Sequence, residues 1–205
     1  MRISYPQLPS YLKQGLPPVV MICGDEPFEF GEAASLVRQR ARETGYEERE
    51  VLEIDGHFDW GLLTVAAQSL SLFSSRKLIE MRLPSGKIGR EGSEAVRLYC
   101  AQHRPENRLL ILAPNLEYQE LQAKWIQSVE RVGALLQVKP LEGQMLVDWI
   151  RKRMSDRGLR PFRAEHLGKL NFELSTALRP HVPIHRESFH ITRPNLYSWY
   201  SPPGN

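Results

Sequence analysis

Two segments of this 205-residue chain carry glycines where a phosphate could be held. In the first, the apolar run Pro18-Val19-Val20-Met21-Ile22-Cys23 leads into Gly24-Asp25-Glu26-Pro27-Phe28-Glu29-Phe30-Gly31. A strand, a glycine and then a helix is the entry at which α/β nucleotide-binding folds carry their phosphate loop. A working loop follows G-x-x-x-x-G-K-[ST], in which backbone N–H groups approach phosphate and the lysine supplies charge. Here there is no lysine, Asp25, Glu26 and Glu29 would repel a triphosphate, and Pro27 removes a donor. The loop is degenerate and argues against nucleotide hydrolysis. The second segment, Ser85-Gly86-Lys87, would need glycine where Met81 stands, and Ile88-Gly89 extends the loop instead of opening a helix. It reads as a surface loop in which Lys87 and Arg90 are candidate weak contacts to DNA phosphate.

Other chemistry finds little support. His181, His185 and His190 are loosely spaced, but Pro183 interrupts any helix that would align them and no cysteine or acidic cluster joins them. No serine sits in a G-x-S-x-G elbow. Asp55, His57 and Asp59 crowd one turn, where a capping aspartate explains them better than acid–base catalysis. No catalytic, metal or cofactor residue is assigned.

The informative stretch is Gln68-Ser69-Leu70-Ser71-Leu72-Phe73, followed by Ser74-Ser75-Arg76-Lys77. A helix ends near Leu70 and a strand begins near Lys77, so Leu72 and Phe73 fall in a short serine-flanked connection. Connections run over the surface, and burying either side chain is worth about 1.5–3 kcal/mol. The pair therefore either folds back into the core or meets a partner, with Gln68 as a polar anchor one turn earlier. Pattern alone leaves both readings open.

These segments must be positioned by a scaffold. Short apolar runs at 18–23, 50–54, 77–83, 109–113 and 134–138 alternate with helical patterns at 27–44, 58–70, 93–103 and 118–131. Five strands alternating with helices predict a three-layer α/β domain with a parallel sheet. An amphipathic helix is expected over 144–157. Beyond Pro161 the pattern degrades, and six prolines and four of the six histidines lie in the last 45 residues. The expected organisation is a domain over 1–140, a partial helical unit over 141–178 and an irregular tail over 179–205.

The formal net charge is only +3 with basic and acidic residues interspersed, which gives no electrostatic footprint for nucleic acid. Arg38, Arg40 and Arg42 read as a solvated helix face. No run approaches a membrane span, and the N-terminus lacks the apolar core of a secretory signal. Two cysteines, Cys23 and Cys100, fit a reduced setting, so a cytoplasmic location is expected.

Several segments together resemble the delta subunit family of bacterial DNA polymerase III, the clamp-loader proteins. The residues that carry the likeness are Tyr5-Pro6-Gln7-Leu8 with Leu12 and Gly15-Leu16, and the Gly24–Pro27 entry. Others are Gln68–Phe73, and Leu83–Lys87 with Gly89, Glu91 and Gly92. Leu116, Gln122, Lys124-Trp125, Gly133, Val138 and Pro140 complete the set, which covers about residues 1–160. The resemblance implies an AAA+/RecA-like domain with a degenerate P-loop that binds no nucleotide, followed by the start of a helical lid. It implies a role in DNA replication, binding and opening the sliding clamp (the beta subunit) with Leu72 and Phe73 as a wedge. Gln68, Ser69, Leu70 and Ser71 would complete the clamp-binding motif. It further implies membership of a DNA-directed DNA polymerase (nucleotidyltransferase) holoenzyme, with delta prime and gamma/tau subunits as partners and DNA contacted indirectly. The likeness stops near Phe162, and the helical collar through which such loaders assemble finds no counterpart here, which puts that assembly in question. The competing readings are a nucleotide-dependent enzyme with an unusual phosphate loop, and a weak DNA-binding module using Lys87, Arg90 and Arg97.

Overall fold

The computed structural model describes residues 1–69, 76–140, 143–156 and 158. The chain divides into two units, one spanning Met1–Pro140 and the other beginning at Leu141.

The first unit is built on a six-stranded parallel sheet. Its strands are β1 (Arg2–Ile3), β2 (Val19–Cys23), β3 (Glu48–Glu53), β4 (Lys77–Arg82), β5 (Asn107–Ala113) and β6 (Ala134–Gln137). They lie in the order β1-β6-β2-β5-β4-β3, and all five pairings are parallel. The helices are α1 (Leu8–Gln14), α2 (Pro27–Glu43), α3 (Gly61–Gln68), α4 (Gly89–Gln102) and α5 (Lys124–Val132), with single 3₁₀ turns at Tyr5–Gln7 and Tyr118–Gln122.

Alternate side chains of the same strands feed two separate cores, which is what makes three layers. Val19, Met21, Cys23, Ile79, Met81, Leu109 and Ile111 meet residues of α3, α4 and α5 on one face. Val20, Ile22, Leu78, Leu110, Leu112 and Leu136 meet residues of α1 and α2 on the other. A strand covered on both faces must be apolar at every position, and the five residues of β2 are all buried. The expected α/β class is therefore observed, as a parallel sheet covered by helices on both faces.

Three local differences from the sequence expectations stand out. A sixth strand, β1, pairs with β6 through Arg2 and Ile3. Helix α4 begins at Gly89, so Arg90 lies in its first turn and not in a loop. Arg38 is not merely solvated: its guanidinium donates two hydrogen bonds, at 2.8 and 2.9 Å, to the buried carboxylate of Glu80.

Both cysteines are buried, and burial pushes each thiol up to about 12. They are held as thiols, without the thiolate that reactive or metal-binding cysteines need. Among the described residues no metal-holding cluster occurs and no helix is long and apolar enough to cross a membrane.

Tyr99 of α4 is buried, and its hydroxyl has no hydrogen-bond partner among the described residues. A buried donor left unpaired loses its hydration without compensation. Tyr99→Phe is thus expected to leave stability unchanged or raise it by up to about 1 kcal/mol in urea unfolding. A clear loss would show that the hydroxyl is bonded.

The second unit contains α6 (Gly143–Asp156). Leu146 and Ile150 are buried on it, with Val147, Trp149 and Met154 beside them. The Arg153 guanidinium lies 4.2 Å from the Trp149 ring centroid, a cation–π contact.

Candidate functional site

Helix α3, GLLTVAAQ, has five apolar residues in eight, more than one helix face can bury. Leu63 and Ala66 point into the core, while Leu62 and Val65 are 47% and 61% exposed. Leu62 and Val65 are three residues apart, so they share the outward face. Gln68 and Ser69 are also exposed. An apolar stripe on solvent thus runs along α3 towards Gln68. The composition of 61–68, with five apolar residues in eight, carried the signal for this stripe.

The sequence-derived motif begins here. Gln68 ends α3 and Ser69 is its C-cap. Leu70, Ser71, Leu72 and Phe73 lie outside the described residues.

What holds the C-terminal end of α3 is well defined. The Ser69 N–H donates to the Val65 carbonyl at 2.8 Å. The Asn107 side-chain amide, at the start of β5, donates to the Ala67 carbonyl at 2.6 Å. The Lys77 ammonium, at the start of β4, donates to the Ser69 hydroxyl at 2.7 Å and to the Glu50 carboxylate at 2.8 Å. Lys77 is 2% exposed, so this is a buried cation placed at a helix C-terminus, where the helix dipole favours positive charge. At the opposite end, the Trp60 ring packs so closely on Gly92 of α4 that a Cβ there would lie 2.3 Å from it. Both ends of α3 are therefore fixed to the scaffold. The roles of Lys77 and Asn107 had no signal in the sequence, because each depends on a pairing made only in the folded chain.

The N-terminus of α2 is where an α/β nucleotide site would bind phosphate. In this chain it is occupied by the chain's own carboxylate. Glu26 is buried and caps the helix, accepting from the Phe28 and Glu29 N–H groups. Pro27 at the first helical position has no N–H to offer. Gly24 has φ +114°, and a Cβ there would lie 1.9 Å from the Val138 carbonyl oxygen. The glycine thus serves the close pass of the segment after β6, not a phosphate. ATP with magnesium at millimolar concentration is expected to leave the melting temperature unchanged. Binding at 100 times Kd would add about 2.7 kcal/mol, and the resulting upward shift of several degrees would overturn this reading of the loop.

The candidate DNA-contact residues are exposed but have acidic neighbours. Lys87 lies 3.2 Å from Glu117, and Arg90 lies 4.0 Å from Glu94. The 55–59 turn is structural: Asp55 accepts from the His57 N–H and Asp59 from the Gly61 N–H at 2.9 and 2.8 Å. His181, His185 and His190 lie outside the described residues.

Comparison with known proteins gives a consistent picture. A family model described as DNA polymerase III, delta subunit, matches residues 21–138, more than half of the chain. The chain is 25% identical over 159 residues to the DNA polymerase III subunit delta of Escherichia coli K12. It is 26% identical over 160 residues to the corresponding subunit of Haemophilus influenzae. These alignments cover 78% and 77% of this chain and 46% of each relative, so the chain spans about half the length of the curated relatives it matches. In fold it is similar to the Bacillus subtilis DNA clamp loader delta protein, with a TM-score of 0.59 at 18% identity over 75% of this chain and 48% of that one.

Proposed function

Since this chain belongs to the DNA polymerase III delta subunit family, we propose that it binds a ring-shaped sliding clamp in DNA replication through the segment that begins at Gln68. In this reading Leu72 and Phe73 enter an apolar pocket on the clamp and wedge the ring open. Gln68 starts the motif, and the exposed Leu62 and Val65 of α3 extend the apolar contact. The domain itself hydrolyses nothing. Its other expected partners are the remaining clamp-loader subunits, with DNA reached through the assembly.

One observation carries the reading. The matched region contains a helix whose outward face is apolar, anchored at both ends, and the Leu-Phe pair follows that helix directly in sequence. Neighbouring apolar side chains on solvent, continued by an apolar pair in sequence, favour a protein contact there. The self-capped N-terminus of α2 counts against the nucleotide-dependent enzyme, and the acidic neighbours of Lys87 and Arg90 count against a direct DNA binder.

The test is co-elution. Purified chain mixed with the purified sliding clamp of the same source is expected to run as a complex in gel filtration, with or without ATP. Two separate peaks at micromolar concentrations of both proteins would overturn the proposal.

A further inference from the structure

We infer that Lys77 is a positioning residue for partner binding, and that Ser69 belongs to an internal latch and not to the contact surface. This rests on the proposed clamp-binding function.

A lysine buried to 2% exposure is an expensive way to fill a space. The ammonium gives up its hydration there, set against one partly exposed carboxylate, Glu50, at 2.8 Å. Methionine would fill a similar volume with no charge to desolvate. What the ammonium adds is geometry. It bonds the Ser69 hydroxyl at 2.7 Å and so joins the end of α3 to the first residue of β4. Although Ser69 is exposed as a residue, its hydroxyl is engaged by the chain itself, accepting from Lys77 and donating to the Ala66 carbonyl at 3.4 Å. The Lys77 N–H also donates to the Glu106 carbonyl at 2.9 Å, and Asn107 beside it holds the Ala67 carbonyl. The starts of β4 and β5 thus grip the last turn of α3 at two successive points. A binding element presented from a held helix end loses less freedom on docking than one presented from a frayed end.

The experiment measures clamp affinity and melting temperature for Lys77→Met, Ser69→Ala and the double variant. Lys77→Met is expected to bind about tenfold more weakly, with only a modest fall in melting temperature because the Glu50 carboxylate left behind has access to water. Ser69→Ala should show the same loss, and the double variant no greater loss than either single change. If the two losses multiply to roughly a hundredfold, Ser69 contacts the clamp independently and the latch is wrong. Wild-type affinity in folded Lys77→Met also overturns it. Should Lys77→Met fail to fold, unchanged affinity in Ser69→Ala still sinks the latch. Absence of binding by the wild-type chain removes the function itself, a result distinct from binding that ignores Lys77.

Discussion

Replacing Leu72 and Phe73 together by alanine is expected to weaken clamp binding by at least about a hundredfold, because hot-spot side chains each contribute roughly 2 kcal/mol or more. The melting temperature should stay within about 2 °C of wild type, the change expected where no buried side chain is lost. The two measurements separate the two readings that pattern alone left open. If the pair were core, the double change would remove large buried side chains at about 2–5 kcal/mol each, and the domain would melt well below wild type. Salt sharpens the distinction. A contact made by an apolar pair depends weakly on ionic strength, whereas one made by Lys87 and Arg90 to phosphate would fall steeply with added salt. Normal clamp binding by a folded double variant would remove the pair from the interface. Leu62→Ser with Val65→Ser supplies the intermediate case, since both side chains are already on solvent. A moderate loss of affinity is expected there, at wild-type stability.

The scaffold was more legible in the sequence than the means by which it holds the site. The residues of β2, Val19–Cys23, and the apolar run in β5, Leu109–Ala113, form a code that does not depend on context, because a strand buried on both faces has no room for polar side chains. The degenerate phosphate loop was equally plain, since Asp25, Glu26 and Pro27 each violate a stated chemical need. The two residues of β1 are too few to show a period, and they become a strand only because β6 offers them a parallel edge. The loop composition around Gly86 and Gly89 hid the start of α4. At the proposed site, the Leu-Phe pair is conspicuous by residue type, and its role remains the proposal tested above. Lys77, Ser69 and Asn107 are not conspicuous, because a lysine before an apolar run is an ordinary strand start until Ser69 and Glu50 are brought to its ammonium. The same blindness applied to Arg38. A helix with Arg38, Arg40 and Arg42 looks solvated unless one knows that Glu80 lies beneath it.

That buried carboxylate supports the largest stability prediction. Glu80 stands in the middle of β4 on the face covered by α1 and α2, where two helices must cover a six-stranded sheet. Cover thins towards β3, and arginines take the place of hydrocarbon. Arg38 reaches Glu80 with two bonds, Arg82 lies at 2.7 Å and Arg49 at 3.7 Å. Burial alone would raise the carboxyl, but the hydrogen bonds and charges of Arg38 and Arg82 outweigh it and hold the group below its ordinary value of 4.5. Glu80→Gln keeps the shape and removes the charge. It leaves guanidinium groups facing an amide, and is expected to lower stability by about 2–4 kcal/mol, somewhat under the usual loss for breaking a fully buried pair. The loss is smaller because Arg38, Arg49 and Arg82 retain access to water. The pH dependence has a definite sign. A carboxyl with a lower pKa in the folded state contributes stability that is complete above its unfolded value and is lost as pH falls through the folded value. The gap between wild type and Glu80→Gln should therefore be constant near neutrality and narrow as pH falls below about 4.5. A gap that stayed the same into acid would mean that shape, not charge, accounts for the loss. Changing both partners, Glu80→Met with Arg38→Met, should recover part of the stability, because it removes two desolvation penalties along with the pair. A double variant less stable than Glu80→Gln would show that the ion cluster is a net source of stability.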